Sequence, residues 1–252
     1  MRDDEQGLRL TVEDGVATLL IDRPKRRNSL DERTLQGITR AFRQFDRDGI
    51  RAVVIGSTDE RSFCAGADIK ELAEKNAEEK AYITKIGQET MQVIHDFRGL
   101  VIAAIEGFCL GGGLELALCC DHRIAGRETV IGLPEIRING LPSWGGMTRL
   151  VREIGYSRSK DILLFDRRLT AEEAEDWGLV SKVVASGEAV PAAQALAQDL
   201  AQKTTLRTVE LAKGILLNGH GADAGTARML EYVADIYQSA AGVWSETLKK
   251  RL

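Results

Sequence analysis

The residues best suited to chemistry lie between Ala103 and Asp121, in the stretch AAIEGFCLGGGLELALCCD. An apolar run, Leu100 to Ile105, ends at a Glu106-Gly107 turn signal. Gly111, Gly112 and Gly113 then open an apolar, helix-like segment, Leu114 to Cys120. Glycines at a helix start expose N–H groups that no carbonyl within the helix can satisfy. Without side chains they let a ligand oxygen come close. The helix dipole adds positive potential at that point. Such amides suit an oxygen that gains negative charge during a reaction. Glu115 is the only charged residue between Gly107 and Cys120. A carboxylate among Leu, Ala and Cys is costly to ionise, which raises its proton affinity and suits it to proton transfer. The alternative is a tight strand-to-helix turn with Glu115 on a solvated edge.

A second carboxylate, Glu135, sits in the apolar stretch Ile131-Gly132-Leu133-Pro134-Glu135-Ile136. Two acidic groups in apolar settings, with an amide-lined pocket between them, fit general acid–base work beside a carbonyl. Spacing along the chain does not bring them together; only the fold can. His95, His122 and His220 have no nucleophile or ligand set around them and read as structural. Cys64, Cys109, Cys119 and Cys120 lack CxxC or zinc spacing. Adjacent helical residues point in different directions, so Cys119-Cys120-Asp121-His122 is not expected to share an ion. No metal and no separate cofactor are expected. The glycines lack a following G-K-[ST] and a Rossmann context.

The elements that must position these groups follow from the pattern along all 252 residues. Hydrophobic residues at 44%, charged residues at 29% and a net charge of −4 describe a globular chain without a nucleic-acid footprint. Glu106, Glu115 and the glycines exclude a membrane span from the most apolar window. The polar, acidic start MRDDEQGLRL is neither a secretory signal nor a transit peptide, and with reduced thiols a cytoplasmic protein is expected. Leu8–Glu13 and Gly15–Ile21 read as strands joined at Asp14-Gly15. Ser29 or Asp31 caps a helix from Glu32 to Asp46. Ala52–Gly56 is a buried strand, and Arg61–Lys70 a loop rich in small residues. Helices are expected from Glu71 to Asn76 and from Glu78 to Phe97. Past Glu135 the chain turns helical: Gly145–Ile154, Ser157–Phe165, Ala171–Trp177, Val190–Gln202, Thr205–Leu217 and Ala224–Leu248, with one strand at Val180–Val184. Strands alternating with helices make an α/β architecture.

Read together, DRPKRRNSL (Asp22–Leu30), SFCAGADIKEL (Ser62–Leu72), the Ala103–Asp121 stretch, GLPEI (Gly132–Ile136), GGMTRL (Gly145–Leu150) and LTAEEAEDWGLVSKVV (Leu169–Val184) occur in the order found in one family. The chain resembles the enoyl-CoA hydratase/isomerase (crotonase) superfamily. The resemblance implies a crotonase-like spiral of ββα units over residues 1–190, with a C-terminal helical region, 191–252, for oligomerisation and for covering the active site. It implies a homotrimer or homohexamer and a coenzyme A thioester, an acyl-CoA or enoyl-CoA, as substrate, with no nucleic-acid or membrane partner. By motif position the family's two oxyanion-binding amides fall on Ala67 and Gly112, and its two catalytic carboxylates on Glu115 and Glu135. Having both carboxylates implies hydration rather than the isomerase or decarboxylase chemistry of relatives. A non-catalytic acyl-CoA-binding protein would leave all four groups idle. Binding of CoA is expected along Lys25, Arg26, Ala65, Ala67, Asp68, Ile69 and Lys70.

Departures from the family pattern bear on specificity. Trp144 stands where relatives have a small residue, so Trp144 and Leu141 are expected at the acyl pocket, with a subunit contact as the alternative for Trp144. Glu106 occupies a turn position more often Asn or Asp, which is expected to be neutral. Ala240-Ala241-Gly242-Val243-Trp244 only loosely matches the family's ending, so CoA contacts from that helix are not expected.

Overall fold

The computed structural model describes residues 2–4, 7–242 and 249. Strands β1 (Arg2–Asp4), β2 (Leu8–Glu13) and β3 (Val16–Ile21) form an antiparallel edge. Asp14 and Gly15 between β2 and β3 both take positive φ, 50° and 79°. That is the two-residue turn whose twist matches the flanking strands. Helix α1 (Glu32–Arg47) follows; Asp31 rather than Ser29 caps it, accepting from the Thr34 N–H at 2.9 Å.

The remaining strands wind as a spiral, each turn giving one strand to a large sheet and one to a small sheet. The first turn is β4 (Ala52–Ser57), β5 (Ser62–Cys64), α2 (Ile69–Ala73) and α3 (Ala77–His95). The second is β6 (Leu100–Ile105), β7 (Phe108–Leu110) and α4 (Gly112–Ala117). The third is β8 (His122–Gly126), β9 (Val130–Gly132) and α5 (Gly146–Phe165). Then β10 (Leu169–Thr170), α6 (Ala171–Asp176) and β11 (Lys182–Val184) complete the two sheets. Their orders are β1-β2-β3-β4-β6-β8-β11 and β10-β9-β7-β5. From β3 to β11 the large sheet is parallel.

Strands β4 and β6 are apolar without alternation because both faces are covered. Between the sheets and helices α1 and α3 lies the main core, with Phe42, Phe63, Met91 and Ile105 inside it. On the other face Val54, Ile102 and Ile124 meet α7 (Ala189–Lys203) through Ala189, Ala193, Ala197 and Ala201. Alanines four apart form one stripe, and their small size brings the helix close to the sheet. By proximity the chain divides into two compact units, Met1–Ala201 and Gln202–Leu252. The second contains the paired helices α8 (Leu206–Gly219) and α9 (Ala224–Ala240).

Several elements differ from the sequence expectation. Ser62–Cys64, read as loop, is a strand because Phe108–Leu110, also unread, pairs with it. Helix α2 begins at Ile69, earlier than Glu71, because the Asp68 carboxylate accepts from the Lys70 and Glu71 N–H groups at 3.2 and 3.4 Å. Glu106 is not a neutral turn residue. It is 5% exposed and accepts from the Ala189 N–H at 2.9 Å, holding the start of α7 against the end of β6. The expected break between Ile154 and Ser157 is a kink at Gly155, φ 79° and ψ 168°, inside α5. Val243, Trp244 and the expected helix end at Leu248 lie outside the described residues.

A Cβ at Gly113 would sit 2.2 Å from the Cys64 carbonyl oxygen, a backbone atom that cannot swing aside. Gly113→Ala is expected to lower unfolding stability by about 1–3 kcal/mol or more, as overpacking does. Urea denaturation of the purified protein checks this; an unchanged midpoint contradicts the close approach of β5 and α4.

Candidate active site

Three successive glycines are needed because each meets a different wall. Gly111, φ 54° and ψ −126°, holds a conformation closed to L side chains. A Cβ on it would lie 2.7 Å from Glu135 Oε1. One on Gly112 would lie 2.5 Å from Cζ3 of Trp144 and 3.3 Å from the Ala67 nitrogen. Gly113 faces the Cys64 backbone. The turn is tied down by the Gly111 N–H, which donates to the Gly132 carbonyl at 2.9 Å.

The second amide comes from the segment after β5. Gly66, φ 107°, brings its Cα under the Leu110–Gly112 backbone, where a Cβ would lie 3.4 Å from the Gly112 nitrogen. Leu30 takes up the groups on either side of Ala67: its N–H donates to Gly66 O at 2.8 Å and its carbonyl accepts from the Asp68 N–H at 2.9 Å. The Ala67 and Gly112 N–H groups have no acceptor among the described residues. Two unspent donors therefore stand side by side at a cavity of about 440 Å³ lined by Ala65, Gly66, Ala67, Gly111 and Gly112.

Both carboxyl groups reach the same cavity. Glu115 is 2% exposed. Its Oε1 accepts from the N–H groups of Trp144 and Gly146, each at 2.8 Å, so it anchors the start of α5. Its Oε2 has no hydrogen bond among the described residues. Burial pushes the Glu115 carboxyl above the ordinary glutamate range, against those two amides and the charge of Arg149. Glu135 lies on the 3-10 turn Pro134–Ile138. Its Oε2 is buried with no hydrogen-bond partner among the described residues. Burial first, then the charges of Glu115 and Asp166, push it up to about 7. The parallel pairing of β7 with β9, Leu110 opposite Gly132, carries Glu115 and Glu135 to one place.

The other expected site residues divide. Ala65, Ala67, Ile69, Leu141 and Trp144 line the cavity. Leu141 is 68% exposed at its rim, whereas Trp144 is buried with its indole between Gly112 and Gly87. Arg26, Asp68 and Lys70 line a separate cleft of about 270 Å³ with Arg23 and Asp31. The Asp68 side chain is already occupied, capping α2 and pairing with Arg23 at 3.1 Å. Lys25 is exposed on the turn Pro24–Arg26 and lines neither cavity. Unforeseen in the sequence are Ile83 and Thr84 from α3, and Arg137, Ser143 and Arg168. Gly87 gave a signal in retrospect: a glycine inside α3 makes room for an indole, since a Cβ there would meet Nε1 at 2.2 Å.

Among the described residues no set of His, Cys, Asp or Glu is arranged to hold a metal ion, and no helix is long and apolar enough to cross a membrane. Cys119 and Cys120 turn their thiols to the Glu115 and Leu116 carbonyls.

Residues 11–233 match the family model described as enoyl-CoA hydratase/isomerase. The crotonyl-CoA hydratase of Syntrophomonas wolfei is 36% identical over 223 residues, 88% of this chain and 85% of that protein. The short-chain-enoyl-CoA hydratase of Clostridium acetobutylicum is 34% identical over 223 residues, 88% and 85% of the two chains. The crystal structure of enoyl-CoA hydratase from Bacillus anthracis superposes with a TM-score of 0.90 at 31% identity, covering 97% of this chain and 96% of that one. Sequence, fold and the pairing of two carboxyls with two unspent amides agree: the chain belongs to the enoyl-CoA hydratase/isomerase (crotonase) family.

Proposed function

We propose that this protein is an enoyl-CoA hydratase, adding water across the α,β double bond of an enoyl-CoA thioester. The observation that carries this reading is the meeting of Glu115, Glu135 and the free Ala67 and Gly112 N–H groups at one cavity. Relatives named crotonyl-CoA and short-chain-enoyl-CoA hydratases support the same substrate class.

In this scheme the thioester oxygen accepts from the Ala67 and Gly112 N–H groups. Glu115, ionised and held through Oε1, uses Oε2 to take a proton from water as the water oxygen attacks the β-carbon. The π electrons move onto the thioester oxygen as an enolate, which the two amides stabilise. One oxyanion donor of this kind is worth about 2.7–4 kcal/mol of barrier. Glu135 delivers a proton to the α-carbon as the enolate collapses. Trp144 and Leu141 bound the acyl end, and Ala65, Ala67 and Ile69 run along the thioester and its CoA arm. Arg26 and Lys70 in the adjoining cleft offer charge to phosphates.

Loss of the conjugated absorbance of crotonyl-CoA on adding the protein is the direct assay. Turnover of β-keto or malonyl-type thioesters with none of enoyl-CoAs would move the assignment to another chemistry of the same fold. Glu115→Gln and Glu135→Gln are each expected to lower kcat by about 10²–10⁴-fold, the range of general acid–base catalysis, with KM little changed. Rates like wild type in both would remove the assigned roles.

The pH profile follows from the two carboxyls. Glu135 is uncharged below about 7 and ionised above it, and the scheme needs its proton. Hydration kcat/KM therefore falls as pH rises through about 7. Glu115 must be ionised, so the acid limb lies above the ordinary glutamate range. A rate rising steadily past pH 7 would contradict Glu135 as the donor.

The Trp144 indole fills the wall beside Gly112. Trp144→Ala is expected to shift preference toward longer enoyl chains. Equal ratios of kcat/KM across a chain-length series would show that the indole does not limit the acyl group.

A further inference from the structure

Asp166 is a buried carboxylate that the hydration scheme leaves unused. It ends α5 in the left-handed conformation, φ 51° and ψ 36°, which glycine or asparagine holds at less cost than most residues. Only 6% of its side chain is exposed. Its Oδ2 accepts a hydrogen bond from Arg137 Nε. Its Oδ1 is buried with no hydrogen-bond partner among the described residues. Burial of an orphaned carboxylate oxygen opposes folding, and a left-handed backbone adds to that cost.

Arg137 lies on the turn Pro134–Ile138 that also carries Glu135, so the ion pair fastens the end of α5 to that turn. Two charged groups act on Glu135, Glu115 from α4 and Asp166 from the end of α5, while Arg137 from its own turn and Arg168 before β10 line the same cavity. Arg137 is turned to Asp166. Arg167, next in the chain, reaches Asp161 at 3.9 Å and Glu173 at 2.9 Å instead. The buried Oε2 of Glu135 is left facing like charges with no hydrogen bond among the described residues.

We propose that Asp166 is a positioning residue for Glu135: clamped by Arg137, it fixes the turn that carries Glu135 and sets a further acidic side chain behind that carboxyl. Its catalytic meaning rests on the hydratase reading; the charge effect itself does not.

Asparagine and glycine both suit the backbone at this position, so Asp166→Asn and Asp166→Gly test the charge without forcing the fold. The protein is labelled with ¹³C at glutamate carboxyls and titrated by NMR, with the Glu135 signal identified as the one missing in Glu135→Gln. In both variants Glu135 is expected to titrate lower than in wild type, by about one pH unit, the scale of one nearby charge. The alkaline limb of kcat/KM for crotonyl-CoA is expected to move down by the same amount. Glu135 titration curves that superimpose on wild type would overturn the inference. Wild-type protein that fails to hydrate enoyl-CoAs would instead overturn the functional reading, and the NMR comparison would still decide the role of Asp166.

Discussion

The structure depends on a lack of space at Gly111, Gly112 and Gly113. Glu135, the Trp144 indole and the Cys64 backbone each approach one of these residues more closely than any Cβ permits. Those approaches bring α4 under the segment after β5 and set the Gly112 N–H beside that of Ala67. Any side chain here would push the walls apart and separate the two donors. Donors fixed in this way suit an oxygen that gains negative charge, because they need not move when the charge forms.

The same crowding explains why the carboxyl groups are poised differently. Glu115 is the more buried, yet two backbone amides at 2.8 Å and the charge of Arg149 support its ionised form. Glu135 has an oxygen without a hydrogen bond among the described residues, and it faces Glu115 and Asp166. Two groups of one type thereby meet different surroundings within a single cavity, the condition under which an acid and a base can be told apart in the proposed hydration. Glu115 has a second duty, since the amides it accepts from are those that begin α5. Its removal would disturb the helix start whatever else it does in the cavity.

Much of the scaffold could be read from local chemistry. The Asp14-Gly15 hairpin, the Asp31 cap and the apolar parallel strands declare themselves within a few residues. Strands β5, β7 and β10, of two or three residues, do not, because what makes them strands is a partner elsewhere in the chain: Cys64 opposite Cys109, Leu169 opposite Ile131. Glu106 likewise has no local reason to be acidic; its partner is the start of α7, on the far side of the sequence.

By itself the sequence marked out the groups suited to chemistry. It pointed to a glycine-rich helix start and to two acids in apolar settings, because glycine and an isolated carboxylate stand out by residue type, while the second amide and the pairing of the acids came from the family resemblance. Through the resemblance carried by its motifs it also implied the order of the spiral's pieces, since each motif is local. Tertiary structure alone decided that Glu115 and Glu135 meet, through the register of β7 against β9. It alone put Trp144 between Gly87 and Gly112, took up the Asp68 side chain in capping and an ion pair, and drew Asp166 to the turn carrying Glu135. Each of these is a distance between residues remote in sequence. Such distances are set by sheet register and helix packing, which no short stretch of chain encodes.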